Sequence, residues 1–334
     1  MKVAFKSFRL LKRSIPIGLA ITSLTIITIF YIGTSSNSDY TSFPKFRLPN
    51  VNNHTESVVS TRIFCLILTS PKNFLTRAKA IHQTWASRCD RHFFVTENAT
   101  ETLTSEQLNF TKQISIAPIS NIIPGYDHLT QKSTLAFLFA YKNYANDFDW
   151  FIKADDDTFV IVENLRGFLS KQNASEPVTF GYNFKVIVPQ GYHSGGASYV
   201  LSQESLRRFH RAHGDSTASC RTDGGAEDVE IAKCLRTQGV YPGKSIDSYN
   251  RELFHPLPFA DHFRGSFPDW MFSYAENPLQ TNYNCCSDQT ISFHYVSPEE
   301  QYLMHFLLYK VRPIFQFEKK FTEKSVSSTT PVMV

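Results

Sequence analysis

The sequence predicts an α/β domain, a mostly parallel sheet covered by helices, carried behind an N-terminal transmembrane helix. Three observations predict it. Apolar runs of strand length alternate with stretches of helical periodicity after Arg62. A charge-free stretch of 18 residues, Ile15 to Ile32, directly follows a basic cluster. A composition of 42% hydrophobic and 19% charged residues supplies a core and is too little charged for a disordered chain.

The elements follow in chain order. Residues 1–13 read as a cytosolic tail holding Lys2, Lys6, Arg9, Lys12 and Arg13. Without those five cations the formal charge falls from +4 to −1, so nucleic acid is disfavoured as a partner. Residues 14–32 read as a membrane span, because 18 residues at 1.5 Å rise reach about 27 Å. A cleaved signal peptide is the alternative, but its apolar region usually runs to about 7–15 residues. The basic cluster on one side, with no Lys or Arg after the span until Lys45, keeps the N-terminus cytosolic and makes the rest lumenal. Residues 33–61, rich in Ser, Asn, Thr and Pro, read as a stem, residues 62–317 as the globular domain, and residues 318–334 as a disordered tail.

Within that domain Ile63 to Leu68 has the composition of a buried strand, and Leu75 to Trp85 reads as a helix. Phe93 to Val95, Ile114 to Ile119 and Trp150 to Ala154 carry further strand signals. Leu129 to Tyr144 is expected to be helical, with Leu135, Leu138 and Phe139 on its apolar face. Helices are also expected near Val162 to Leu169 and from the turn at Gly224 to about Gln238, and a strand over Ser292 to Val296. In such sheets ligands bind beyond the carboxyl ends of the strands.

Two features agree with a lumenal address: sequons at Asn53, Asn98, Asn109 and Asn173, and six cysteines beyond the span. Six cysteines allow fifteen pairings, of which sequence proximity favours Cys65 with Cys89, Cys220 with Cys234, and Cys285 with Cys286. Zinc is disfavoured, since there is no Cys-x-x-Cys pair and adjacent Cys285 and Cys286 suit one tetrahedral ion poorly.

Chemistry concentrates in a few places. Asp155, Asp156 and Asp157 follow the Trp150 to Ala154 strand, and three repelling carboxylates are easier to understand around a hard divalent cation. The alternative is a solvated acidic turn or a helix N-cap. Glu227, Asp228 and Glu230 open a helix, where acids ordinarily serve the dipole, unless one faces the cleft as a base held ionised by the helix N-terminus. Glu227 and Asp228 lie about 100° apart around the axis, so only one is expected to face the cleft. His294 alternates with Phe293 and Tyr295, and by itself such a histidine is usually structural. Gly195 and Gly196 mark a turn or a close approach of backbone to ligand. There is no Gly-rich phosphate loop and no Gly-x-Ser-x-Gly elbow, so a nucleotide would have to be held by metal and cations.

Six motifs, in order, resemble the inverting β1,3-glycosyltransferases, and within them the core 1 β1,3-galactosyltransferase branch. They are Arg77 to Cys89, Asp149 to Val160, Gln190 to Leu201, Glu227 to Cys234, Phe254 to Pro256 and Cys285 to Val296. The vicinal cysteines ahead of Phe293, His294, Tyr295 and Val296 point to that branch. The resemblance implies a GT-A fold and Mn²⁺-dependent transfer of galactose from UDP-galactose, β1,3-linked, to N-acetylgalactosamine on Ser or Thr of glycoproteins. It also implies a Golgi, single-pass type II enzyme, and it leaves a homodimer open. By residue, it implies that Asp155, Asp157 and His294 hold the metal, with Asp155 also near the ribose, and that Asp228 is the base. Thr69, Arg77, Lys79, Gly125 and Lys132 fall on the nucleotide side, with Trp270 and Tyr295 where donor and acceptor meet. The chain departs from the branch at Pro124, Gly125 and Tyr126, where Glu-Gly-Arg is usual, which bears on donor choice. The rivals are the same fold with another UDP-sugar or acceptor, and a non-catalytic, chaperone-like relative, against which the intact metal motif argues.

Overall fold

The computed structural model describes residues 61–98 and 101–312. The expected cytosolic tail, membrane span and C-terminal tail, nearly all of the stem, and the sequon at Asn53 lie outside the described residues. Among the described residues no helix is long and apolar enough to cross a membrane.

Strand β1 (Ile63–Leu68) is buried along its whole length. Its alternate side chains feed two cores: Ile63, Cys65 and Ile67 pack on one side of the sheet, Phe64, Leu66 and Leu68 on the other. That accounts for a continuous apolar run in place of an alternating one. The other strands are β2 (Arg91–Val95), β3 (Trp150–Asp155), β4 (Phe159–Val160), β5 (Val178–Gly181), β6 (Asn183–Phe184), β7 (Tyr192–His193), β8 (Tyr199–Ser202), β9 (Tyr241–Pro242), β10 (Phe254–His255) and β11 (Ser292–Phe293). The main sheet has six strands in the order β2-β1-β3-β8-β5-β9, parallel except that β8 runs against both its neighbours. A second sheet, β10-β11-β4, and the β6-β7 pair complete the strands.

The helices are α1 (Lys79–Gln83), α2 (Ser105–Thr111), α3 (Leu129–Tyr144), α4 (Val162–Leu169), α5 (Gln203–Gly214), α6 (Glu227–Thr237), α7 (Phe259–Arg264), α8 (Asp269–Tyr274) and α9 (Pro298–Tyr309). The expected bounds of α3 and α4 hold. The expected buried face of α3 does not: Ser133, Ala136, Phe137 and Ala140 are buried, while Leu135, Leu138 and Phe139 are half-buried. Ala136, Phe137 and Ala140 fill the core on that side of the sheet, and Leu135 and Phe139 pack only at its margin. Leu75 to Trp85 splits into a π-helical turn, Phe74–Ala78, followed by the short α1. Ile114 to Ile119 forms a single bridge, Phe94 to Ile116, and no strand, since Pro118 has no N–H to continue the ladder.

All three pairings favoured by proximity are present: Cys65–Cys89, Cys220–Cys234 and Cys285–Cys286. Replacing both Cys65 and Cys89 by Ala should cost about 3 kcal/mol by loop entropy, read as a lower urea midpoint. Alkylation of the unreduced chain should label no thiol.

Candidate active site

Register builds the site. In the parallel β1-β3 pair Leu68 lies opposite Asp155, so Thr69 and Asp156 leave the sheet at the same edge. Antiparallel β8 begins at that edge, with Tyr199 opposite Lys153, which brings in the loop carrying Gly195 and Gly196. The β11-β4 pair and the hydrogen bond from the Val296 N–H to the Asp157 carbonyl, at 2.8 Å, set His294 and Tyr295 over the acidic triplet. The result is a cleft of about 1280 Å³ beyond the carboxyl ends of β1 and β3, as the topology predicts.

The three carboxylates have separate partners. Asp156 is buried and accepts from the Thr69 hydroxyl at 2.7 Å, the Asn73 amide at 2.8 Å and Arg77 at 3.2 Å. Burial pushes its carboxyl up, and those hydrogen bonds oppose the rise. Asp157 pairs with Arg77 at 3.1 Å and with His294 Nε2 at 3.2 Å. Burial works to raise the Asp157 carboxyl, but the His294 imidazole and Arg77 outweigh it and hold the group below the usual range. Asp155 pairs from beneath with Lys153, at 2.8 Å. Donor atoms of Asp155, Asp157 and His294 all lie within 4.8 Å of one another. Two carboxylates and an imidazole suit a divalent ion of the manganese type. The other cluster of metal-type donors among the described residues, His213 with Cys220 and Cys234, has both sulfurs in a disulfide.

The paired glycines are explained by close approach. A Cβ on Gly196 would stand 2.0 Å from His294 Cε1, and one on Gly195 would stand 2.7 Å from Glu227 Oε2. Gly196→Ala should therefore displace the imidazole and weaken divalent-ion binding about 10- to 100-fold while the domain stays folded. Calorimetry with Mn²⁺ and UDP checks the first half, thermal unfolding the second.

The first turn of α6 also lines the cleft. Asp228 accepts from the Gly195 N–H at 3.0 Å and from the Val229 N–H at 2.9 Å. Burial first, then neighbouring Glu227, pushes its carboxyl up to about 6, against those N–H groups and Lys153. The helix N-terminus therefore does not hold Asp228 at an ordinary carboxylate value, because desolvation outweighs it. Nor does only one of the adjacent acids reach the cleft. Both line it, because the longer Glu227 side chain turns beneath, to the Tyr199 hydroxyl at 2.7 Å and Lys153 at 3.4 Å.

Thr69, Arg77, Gly125, Lys132, Asp155, Asp157, Asp228, His294 and Tyr295 all line the cleft. The Lys132 ammonium is buried and donates to the Thr69 carbonyl at 2.9 Å and Glu97 at 2.7 Å. Lys79, at the start of α1, and Trp270 do not line it. Trp270, 45% exposed, packs on Phe184 and Tyr274. Tyr295 adopts a left-handed φ of 55°, stacks on His294 at 3.8 Å and ends the expected strand after Phe293. Sequence reasoning missed Asn73, Glu97, Lys153 and the engaged role of Glu227. A lysine inside the apolar run Trp150 to Ala154 was the available signal for one of them.

The Fringe-like family profile matches residues 58–311. The glycoprotein-N-acetylgalactosamine 3-beta-galactosyltransferase 1 of Xenopus laevis is 38% identical over 272 residues, covering 80% of this chain and 72% of that protein. A beta-1,3-glucosyltransferase of Mus musculus is 24% identical over 61% of this chain and 41% of its own length. Chondroitin sulfate synthase 3 of Homo sapiens is 28% identical over 57% of this chain and 22% of its own length. The chain belongs to the Fringe-like family, on its core 1 β1,3-galactosyltransferase branch. It is a glycosyltransferase.

Proposed function

We propose that this chain is an inverting, Mn²⁺-dependent transferase of GT-A architecture that moves galactose from UDP-galactose, in β1,3 linkage, to N-acetylgalactosamine on Ser or Thr of glycoproteins. The observation that carries the reading is the meeting, in one cleft, of a two-carboxylate, one-imidazole donor set with a separate carboxylate, Asp228. The likeness to the Xenopus laevis enzyme over most of both chains supports the acceptor and the linkage.

In this reading Asp155, Asp157 and His294 hold the ion. Bound there, Mn²⁺ supplies Lewis-acid stabilisation of the charge that grows on the departing diphosphate. Thr69, Arg77, Gly125 and Lys132 border the nucleotide. The acceptor hydroxyl attacks the anomeric carbon from the face opposite UDP and gives its proton to Asp228 as the bond to the diphosphate oxygen breaks. The Gly195 and Val229 N–H groups fix the Asp228 carboxylate so that one orientation faces the acceptor.

A Golgi address as a single-pass type II protein belongs to the same proposal. It is supported by the apolar run Ile15 to Ile32 behind a basic cluster, the sequons, and the cysteines, all of which are paired. The test is a panel of UDP-sugars with the purified chain, Mn²⁺ and a GalNAc-peptide. Transfer from UDP-galactose alone supports the reading. Preference for another UDP-sugar would trace to the Pro124–Gly125–Tyr126 segment at the cleft, and no transfer from any donor would favour the chaperone-like rival.

A further inference from the structure

We propose that Lys153 is a positioning residue for this reaction, a single buried ammonium that ties the metal-side carboxylate of Asp155 to the groups bordering Asp228. The inference rests on the transferase reading above. Lys153 is 1% exposed, and its ammonium reaches Asp155 Oδ1 at 2.8 Å, the Gly195 carbonyl at 3.2 Å and Glu227 Oε2 at 3.4 Å. Those partners sit on three different elements: the end of β3, the loop before β8, and the first turn of α6.

An ordinary core position would hold an apolar side chain, because burying an ammonium is costly unless it is paired on several sides. Lys153 is so paired, and it is the strut across which the two halves of the cleft are joined. Arg77 serves the other two carboxylates from a half-exposed position and, among the described residues, pairs with neither Asp155 nor the α6 acids. Glu227 in turn is fixed by the Tyr199 hydroxyl, so the strut cannot swing freely.

The groups around Asp228 give this arrangement a second consequence. Glu227 faces Asp228 from its own helix, Tyr199 from β8, Tyr192 from β7, the Gly195 N–H from the loop, and Lys153 from β3. His193 and Arg236 also line the small cavity beside Asp228, and Lys153 is the cation that most lowers its proton affinity. Removing it leaves Asp228 beside an acid, two phenols and backbone, and the proton is then held to higher pH.

The experiment compares the full-length Glu227→Gln chain with the paired Lys153→Met/Glu227→Gln chain, which avoids leaving a buried Glu227 without a cation. Thermal unfolding, calorimetry with Mn²⁺ and UDP, and kcat and kcat/KM across pH are read on both. The paired variant should keep its fold, lose turnover about 10²-fold with a smaller loss of Mn²⁺ and UDP affinity, and move the acid limb to higher pH. Lys153→Arg, which keeps the charge and alters its reach, should lose turnover with the acid limb in place. If the paired variant matches Glu227→Gln in turnover and acid limb, Lys153 is only a counterweight to Glu227 and the proposal is overturned. Turnover and Mn²⁺–UDP binding falling together overturns it as well, by making Lys153 generally structural. A parent chain that transfers sugar no faster than its Lys153 variants sinks this proposal alone, whereas a parent chain that fails to bind Mn²⁺ and UDP sinks both readings.

Discussion

Asp228→Asn should cut turnover about 10²- to 10⁴-fold while UDP affinity stays near that of the parent, because an amide keeps the size of the carboxyl and cannot take the proton. The parent enzyme should lose kcat/KM as pH falls through about 6, where Asp228 becomes protonated. The variant's residual rate should lose that limb. The linkage has a definite sign. The folded-state pKa of Asp228 lies above its unfolded value, so the folded state holds this proton more tightly. The contribution of Asp228 to stability therefore falls as pH rises from about 4 to about 6. Asp228→Asn should accordingly melt no lower than the parent at neutral pH, and higher if Glu227 and burial dominate its environment as they do in the fold. An Asp228→Asn enzyme with near-parent turnover, or one losing UDP binding in step with activity, would make Asp228 a donor-site or structural residue. Glu227→Gln should lose less, since one Glu227 oxygen is engaged by the Tyr199 hydroxyl and the other by Lys153.

Asp157→Ala and His294→Ala should each abolish Mn²⁺-dependent UDP binding. Each removes one of three donors whose atoms lie within 4.8 Å of one another. The two variants differ in what they leave behind. Without Asp157, Arg77 keeps its contact with Asp156 at 3.2 Å. Without His294, Asp157 keeps Arg77 but loses the group that most lowers its proton affinity. Both should stay folded, because Asp157 and His294 lie at the cleft while the two cores pack on either side of the sheet. Calorimetry of UDP with and without Mn²⁺ reads the effect. Parent-like binding in either variant removes that residue from the ligand set.

The parts of the fold legible in the sequence were those where one physical rule acts alone. Ile63 to Leu68 reads as a strand because both its faces are buried, and α3 and α4 read as helices because their periodicity is unbroken. Legibility failed where tertiary contact competes with local pattern. The inner face of α3 is the one that Ala136, Phe137 and Ala140 turn to the core, which the spacing of Leu135, Leu138 and Phe139 does not encode. Pro118 left Ile116 a single bridge in place of a strand. The acidic triplet and His294 are 137 residues or more apart in sequence, and the β11-β4 pairing with the Val296 to Asp157 hydrogen bond joins them. Within the site, the carboxylates were visible as a repelling run, while the groups that neutralise them were not. Arg77 was singled out through a family likeness, and Asn73 and Lys153 not at all, since a lysine two residues before Asp155 reads as an ordinary strand residue until its burial is known. Gly196 was visible as a glycine, but its reason, the imidazole against its backbone, needs coordinates.

The account stands most directly on the stereochemistry of the product. With the purified chain, Mn²⁺, UDP-α-galactose and a GalNAc-peptide, the anomeric proton coupling of the new linkage, read by NMR, distinguishes inversion from retention. With Asp228 as base and no carboxylate of the chain attacking the sugar, the reading predicts a single displacement and a β-linked galactose, formed in the parent and lost on chelation of the metal. An α-linked product, or transfer that continues undiminished in excess chelator, would contradict it.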